Sequence, residues 1–165
     1  MNEVWGMDGN RLVMKLNDRH DPDGPQWVEK LELTKVEGSV RRVFENGRML
    51  ELSLLDADDF VIRAFRIDSV GGQCRFTIYE SGESRENRFL EWWESRVSEF
   101  RGASRYVDDY FDDRTACRNV EVAVALALEF SKSWRLSEDS MSHFISTWDP
   151  LSVEGRRLVA ESLSS

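Results

Sequence analysis

Residues 108–114 read DDYFDDR, in which two aspartate pairs flank a Tyr-Phe dipeptide and precede an arginine. If the segment were helical, Asp108 and Asp112 would share one face of the helix, and Asp109 and Asp113 would share the adjacent face. Carboxylate oxygens in such an arrangement are ligands that Mg²⁺ prefers. One hypothesis is therefore a divalent-metal-dependent enzyme that uses these four carboxylates.

The same motif resembles, letter for letter, the aspartate-rich motif of prenyl-diphosphate synthases. That resemblance implies a much longer, all-helical enzyme with a second metal motif on a facing helix. Here the other comparable acidic cluster, Asp56, Asp58 and Asp59, falls in a predicted hairpin turn. Neighbouring carboxylates on one short helix would also repel one another without a metal. These features favour a solvated acidic loop over a metal site.

A third interpretation of the segment is protein recognition. Exposed aspartates interleaved with aromatic rings combine electrostatic steering with aromatic anchors, which is how a surface recognises a basic partner. We therefore expect no catalytic, metal-ligating or cofactor-binding residue, and no cofactor. The candidate partner-binding residues are Tyr106, Asp108, Asp109, Tyr110, Phe111, Asp112 and Asp113.

The charge of the chain supports a basic partner. The net charge is −9, and the acidity is spread evenly, with 15 acids against 11 bases in residues 1–80 and 16 against 11 in residues 81–165. A chain without a basic block lacks the electrostatic feature that drives binding to a phosphate backbone. We therefore expect no nucleic acid among its partners.

Cysteine use and hydropathy indicate the compartment. The two cysteines, Cys74 and Cys117, have neither zinc-ligand nor disulfide-scaffold spacing, which is typical of a reducing cytoplasm. No apolar run approaches the roughly 18 residues of a membrane span, and the N-terminus lacks the pattern of a signal peptide. We expect a cytoplasmic protein that does not bind membranes.

The two histidines offer little catalytic chemistry. His143 follows Ser142 and lies near Asp139 in sequence, but proximity on one helix does not build a triad, so a surface or half-buried histidine is expected. His20 lies in a predicted loop with three aspartates, where a salt bridge is a simpler role than metal binding. Cys74 and Cys117 are expected to be small core residues.

The N-terminal two thirds of the chain predict a helix followed by a β-meander. An Asp8-Gly9 dipeptide predicts a hairpin turn. Apolar residues at intervals of three and four predict a helix over 36–46, although Gly38 disfavours it. Four segments with strand character follow, RMLELSLL, DFVIRAFRI, QCRFTIYE and NRFLEWWE, joined by hairpin-length turns. The second is expected at the centre of the sheet, with both faces covered from Phe60 to Ile67.

The remainder is predicted from less regular patterns. Residues 95–119 read as a loop, with one short strand at SRYV, and carry the acidic motif. A helix is predicted over 120–134, with Asn119 as its N-cap. A short amphipathic helical segment should follow Ser137, and the tail should form one or two helical turns around Leu158 and Val159.

Trp92 and Trp93 end the fourth predicted strand. Successive strand side chains point to opposite faces, so one ring should join the core while the other reaches solvent or a second layer.

The C-terminal half also resembles a known class of protein. The run FDDRTACRNVEVAVALALEF, followed by a second small helix and the residues Ser146, Trp148, Asp149 and Pro150, resembles small uncharacterised bacterial proteins. Among them are immunity proteins encoded beside secreted polymorphic toxins. The resemblance implies an α+β protein that has no chemistry of its own and neutralises a cognate toxin by binding it.

The sequence therefore predicts one α+β domain over residues 1–165, with a central antiparallel β-meander of about four to six strands and two or three packed helices. The preferred function is a non-catalytic, immunity-type inhibitor that binds a basic toxin through its acidic surface. Two alternatives stay open: a divalent-metal-dependent enzyme using the 108–113 carboxylates, and a structural or regulatory bacterial homo-oligomer.

Overall fold

The computed structural model describes residues 9–18, 24–82 and 88–165. They form an α+β fold, as predicted, in which a seven-stranded antiparallel sheet has helices on both faces. The predicted turn at Asp8 and the predicted loop containing His20 lie outside these residues. Within the described part of the chain, no helix has both the length and the apolar character needed to cross a membrane.

The main sheet has the strand order β2-β1-β3-β4-β5-β6-β9. The predicted meander forms its centre and is confirmed, while β1 and β2 extend one edge and β9 extends the other. The sheet therefore has more strands than the sequence predicted. Its strands are β1 (Arg11–Asp18), β2 (Gln26–Val28), β3 (Arg48–Leu55), β4 (Val61–Ser69), β5 (Cys74–Glu80), β6 (Arg88–Trp92) and β9 (Phe144–Ser146).

The central position of β4 was predicted correctly, but the covering of both its faces was not. Phe65 and Ile67 are fully buried on the inner face, whereas Arg66 points outward and is exposed. Phe60 precedes the strand and is 71% exposed. Phe65 and Ile67 thus form the buried centre of one face of β4, and the charged side chains of Arg66 and Asp68 occupy much of the other.

Two helices cover the inner face of the sheet. Helix α1 (Leu33–Asn46) begins three residues earlier than predicted, and α2 (Val120–Ser133) matches its prediction closely. The Asn119 side chain accepts a hydrogen bond from the backbone N–H of Glu121, which confirms the predicted N-cap. Phe130 of α2 stacks on Phe65 of β4 at 5.9 Å between ring centroids, so α2 closes the main core.

The outer face carries a β-hairpin and a long C-terminal helix, and the sequence predicted only a part of each. Strands β7 (Ala103–Tyr106) and β8 (Asp109–Asp112) pair with each other, apart from the main sheet. The short strand predicted at SRYV is confirmed as β7, but the loop predicted for the rest of 95–119 was wrong where β8 forms. Helix α4 (Pro150–Leu163) packs against β8, where only one or two helical turns were expected.

The segment after Ser137 also differs from its prediction. Helix α3 (Glu138–Met141) is a single turn, and Phe144 and Ile145 then form β9 rather than continuing a helix. Phe144 pairs with Trp92 of β6, so their side chains share the inner face. Burial on the sheet edge outweighed the helical spacing of these apolar residues.

The two consecutive tryptophans lie on opposite sides of the sheet, as predicted. Trp92 joins the inner core, where its ring meets that of Phe76 edge-on at 5.6 Å. Trp93 is 1% exposed and lies under the second layer formed by α4 and the hairpin. Both rings are buried, so neither is an exposed aromatic anchor on the protein surface.

Candidate functional site

A two-residue turn places half of the acidic motif at an exposed position. Tyr106 pairs with Asp109, which leaves Val107 and Asp108 as the turn between β7 and β8. Val107 has a φ of +56°, a conformation that is strained for a β-branched residue. Residues 107–110, named here the hairpin tip, are all exposed, and Tyr110 is 41% accessible.

The two carboxylates of the hairpin tip have no ionic or hydrogen-bonding partner in the part of the chain that the structure describes. The nearby Arg105 donates a hydrogen bond from Nε to the carbonyl oxygen of Val107 at 2.9 Å, and its guanidinium lies 6.0 Å from the Tyr110 ring centre. Arg105 therefore holds the backbone and the ring, and leaves Asp108 and Asp109 unneutralised.

The second aspartate pair is structural, which corrects the prediction that all four carboxylates are exposed. Asp112 receives two side-chain hydrogen bonds from Arg114, at 2.7 Å and 3.0 Å, and both side chains are about 5% exposed. These hydrogen bonds raise the pKa of Arg114 above its ordinary value, against the lowering effect of burial. A buried, bidentate pair of this kind fixes the base of the hairpin.

Asp113 is half-buried and is also engaged within the protein. It accepts hydrogen bonds from Arg118 and from the Ser104 hydroxyl, and Arg101 lies 3.7 Å away. Desolvation alone would raise the pKa of Asp113, but the hydrogen bonds from Arg118 and Ser104 hold it below its usual range. Asp113 is therefore ionised and unavailable to a partner.

The aromatic candidates divide in the same way. Tyr110 is exposed, whereas Tyr106 is 6% exposed and its hydroxyl is buried; burial raises the pKa of that hydroxyl. Phe111 is half-buried, because the guanidinium of Arg75 from β5 lies 3.6 Å from its ring centre. Tyr106 is thus removed from the predicted binding surface.

Helix α4 can approach β8 closely because residue 155 is glycine. A Cβ atom at Gly155 would lie 2.8 Å from Asp112 Oδ2 and 3.1 Å from Trp93 Cη2. Both neighbours are fixed, Asp112 by its arginine and Trp93 by burial. The glycine therefore lets α4 pack against the hairpin base and over Trp93.

These elements enclose a cleft of about 600 Å³ between the outer face of β5 and β6, the hairpin and α4. That volume falls within the range of small-molecule and side-chain binding pockets. The hairpin tip forms one rim through Asp108, Asp109 and Tyr110. The other lining residues are Arg75, Thr77, Glu91, Trp93, Phe111, Asp112, Thr115, Thr147, Ser152, Arg156, Val159, Ala160 and Leu163.

The polar groups at the sheet side of the cleft neutralise one another. Arg75 donates hydrogen bonds to Glu91 at 2.9 Å and to Thr115 Oγ1 at 3.1 Å. Trp93 donates from its indole nitrogen to the other carboxylate oxygen of Glu91 at 3.3 Å. Burial lowers the pKa of Arg75, although Glu91 opposes the shift. This network is satisfied internally and holds the floor rigid.

One polar atom on the helix side is not satisfied. Ser152 is 1% exposed, and its Oγ has no hydrogen-bond partner among the residues the structure describes. A buried hydroxyl without a partner is costly, by about 1–3 kcal/mol. Ser152 therefore stands out among the lining residues as a group that a bound molecule could satisfy.

The structure does not bring the four aspartates together as metal ligands. In the described ranges, no group of three or more His, Cys, Asp or Glu side chains is arranged to hold a metal ion. Asp112 and Asp113 are instead engaged by Arg114 and Arg118. The spacing of the motif does not place its aspartates on a common helix face. Asp108 lies in the hairpin turn, Asp109 and Asp112 lie in β8, and Asp113 begins a short 3-10 turn.

The hairpin turn predicted for Asp56, Asp58 and Asp59 is confirmed. Asp56 Oδ1 accepts backbone hydrogen bonds from Asp58 and Phe60.

His143 is exposed, and its ring lies 6.2 Å from that of Trp92. Cys74 and Cys117 are buried, as predicted, and their backbones pair with each other.

Sequence reasoning missed the helix side of the cleft. Only one or two helical turns around Leu158 and Val159 were predicted, whereas α4 spans Pro150–Leu163 and includes Ser152 and Gly155. The signals that could have identified the helix are Asp149 as N-cap, whose side chain accepts from the N–H of Leu151, and Pro150 at the first helical position.

Comparison with known proteins gives a fold but no family. No family model matches the chain, and no curated protein matches it. A crystal structure of a hypothetical protein from Neisseria gonorrhoeae is similar over 84% of this chain and 98% of that one, with a TM-score of 0.60 and 11% sequence identity. At that identity the similarity shows a shared fold and nothing about activity.

Proposed function

We propose that the protein is a non-catalytic, cytoplasmic binding protein of the bacterial immunity type, which neutralises a cognate toxin through its hairpin tip. The observation that carries this proposal is the pair of exposed carboxylates, Asp108 and Asp109, that have no partner in the described residues. Unneutralised charge on a rigid projection is suited to steering and orienting a basic protein.

Anchoring contacts at the base and at the tip of the hairpin support binding over mere solvation. The base of the hairpin is anchored by the Asp112–Arg114 pair, and the tip by the hydrogen bond from Arg105. A surface that is already ordered loses little conformational entropy on binding, so more of the contact energy appears as affinity. The strained conformation of Val107 fits the tendency of such strain to occur at functional positions.

The tip also carries apolar surface beside its charges. Val107 is 69% exposed and Tyr110 is 41% exposed. Exposed aromatic anchors next to complementary charges are common among the residues that dominate protein interfaces. The combination favours a protein partner with basic residues around an apolar centre.

Growth rescue tests the proposal. The toxin-like protein encoded beside this chain would be expressed in a bacterial host, alone or with the wild-type chain. We expect toxin expression to arrest growth and co-expression to restore it. Absence of a toxin-like neighbour, or arrest that persists when the chain is expressed at matched levels, would refute the proposal.

A double variant assigns the effect to the tip. Asp108→Asn with Asp109→Asn keeps the size of both side chains and removes their charge. We expect it to restore growth less well than the wild type at equal expression. A control, Asp58→Asn, removes an exposed charge in a turn away from the hairpin and should protect fully.

A further inference from the structure

We propose that the cleft beneath the hairpin tip binds one arginine side chain of the partner protein. This inference rests on the proposed function, because it names the part of the partner that the tip would guide into place. It draws on three features of the cleft: its charge balance, an unsatisfied hydroxyl and its apolar walls.

The charge balance of the cleft favours a cation. Two of its acidic residues are matched internally, Glu91 by Arg75 and Asp112 by Arg114. Asp108 and Asp109 stay unmatched on the rim. A cation entering the cleft would therefore pair with existing charge, whereas an anion would meet two carboxylates at the entrance.

Arg156 is the one cleft cation without an ion pair in the described residues, and it does not reverse this balance. Its guanidinium donates a hydrogen bond to the carbonyl oxygen of Thr147 at 2.7 Å, and its side chain is exposed. One solvated arginine beside two unmatched carboxylates still leaves the cleft net negative.

The unsatisfied hydroxyl of Ser152 gives the cleft a second, independent reason to bind a hydrogen-bonding group. Its Oγ is buried and has no partner in the described part of the chain. A hydroxyl oxygen can accept a hydrogen bond from an N–H donor. A ligand that supplied one would recover the free energy lost when the group was buried.

Arginine suits the cleft better than lysine. A guanidinium has five donors in a planar array, so it can bond to the rim carboxylates and to a wall hydroxyl at once. It is also more weakly hydrated than an ammonium group and packs readily against aromatic and aliphatic surfaces. Here Tyr110, Val159 and Leu163 supply such surfaces along the walls.

The test is an NMR titration of the ¹⁵N-labelled full chain with N-acetyl-arginine amide. N-acetyl-citrulline amide is the matched control, because it has nearly the same shape and no charge. We expect saturable shifts confined to amides around the cleft, with the arginine probe binding at least severalfold more tightly. Equal binding of the two probes, shifts spread over the surface, or no saturable shifts would overturn the proposal.

Two variants locate the contacts. Ser152→Ala should weaken the arginine probe by roughly three- to tenfold, and Asp109→Asn should weaken it by a similar factor. Ser162→Ala, on the same helix but outside the cleft, should leave probe binding unchanged. Because Ser152→Ala removes an unsatisfied hydroxyl, its thermal stability should equal or exceed that of the wild type. Unchanged probe binding by folded Ser152→Ala would exclude the assigned contact.

The outcomes of the titration and of the growth test distinguish failure of the arginine site from failure of the immunity function. Probe binding without any toxin rescue would support the cleft site and refute the immunity function. Rescue by both the wild type and Ser152→Ala, with no binding of the arginine probe, would support the immunity function and refute the arginine site.

Discussion

The tip and the base of the hairpin contain the same dipeptide, Asp-Asp, four residues apart, yet the two pairs have different physical roles. Asp108 and Asp109 are exposed and have no partner among the described residues, while Asp112 and Asp113 are engaged by Arg114 and Arg118. The difference comes from position in the fold. The base is covered by α4 and surrounded by arginines, whereas the tip is exposed.

This comparison shows why residue type and spacing alone misassign an acidic motif. A buried carboxylate is retained only with a matching cation, so burial itself converts an aspartate into a structural residue. An exposed carboxylate without a cation costs the fold little and is available for binding. The division of roles can be tested at each position.

The largest expected effect lies at the base. Asp112→Asn would leave the Arg114 guanidinium buried without a counter-charge, and breaking a buried pair in this way costs about 3–5 kcal/mol. Asp108→Asn, the same change at the tip, should alter stability by less than about 0.5 kcal/mol. Urea denaturation of both variants measures the difference. Similar stabilities would mean that the base pair is not structural.

The next effect separates two helical glycines. Gly155→Ala should destabilise the protein by about 1–3 kcal/mol, because the new Cβ would overlap Asp112 Oδ2. Gly38 in α1 has open space around its missing Cβ, so Gly38→Ala should stabilise by up to about 1 kcal/mol. Opposite signs in the two unfolding free energies are expected. Stabilisation by both changes would show that α4 does not pack tightly on the hairpin.

The smallest stability effect depends on pH. The folded-state pKa of Asp113 is lowered, so its ionised form stabilises the protein above the unfolded-state pKa of about 3.9. That contribution is lost as pH falls through the lower folded-state pKa. Asp113→Asn should therefore be less stable than the wild type near neutral pH, and the two should converge in strong acid. A difference that persists unchanged at low pH would contradict the ion-pair assignment.

The elements of the fold that could be predicted are those whose signals lie within a short stretch of sequence. Strands β3 to β6 and helix α2 were visible in the sequence, because hydrophobic period, turn residues and an Asn119 cap all agreed. Strand β7 was predicted at SRYV, but its hairpin with β8 was missed, because the two-residue turn uses Val107 where glycine or asparagine is usual. Most of helix α4 was missed because Gly155 weakens its local pattern, and that glycine is explained by its contacts with Asp112 and Trp93.

The candidate site was predicted only in part, because only some of its residues belong to one local stretch of sequence. The sequence identified the acidic segment, and the structure retains Asp108, Asp109 and Tyr110 as its exposed part. The sequence could not show that the side chain of Arg114 pairs with that of Asp112, because this pairing depends on the geometry of the strand and the turn that follows it. The cleft itself joins residues from β5 to α4, separated by about half the chain, and no local pattern encodes such a pocket.

In the proposed division of roles, the hairpin tip binds the toxin and the hairpin base holds the tip in place. This division is tested most directly by the affinity of the purified toxin for the wild type and for Asp108→Asn with Asp109→Asn, at low and high salt. We expect the double variant to unfold like the wild type, to bind roughly tenfold more weakly at low salt, and to depend less on salt. Equal affinity and equal salt dependence for a folded double variant would contradict the claim.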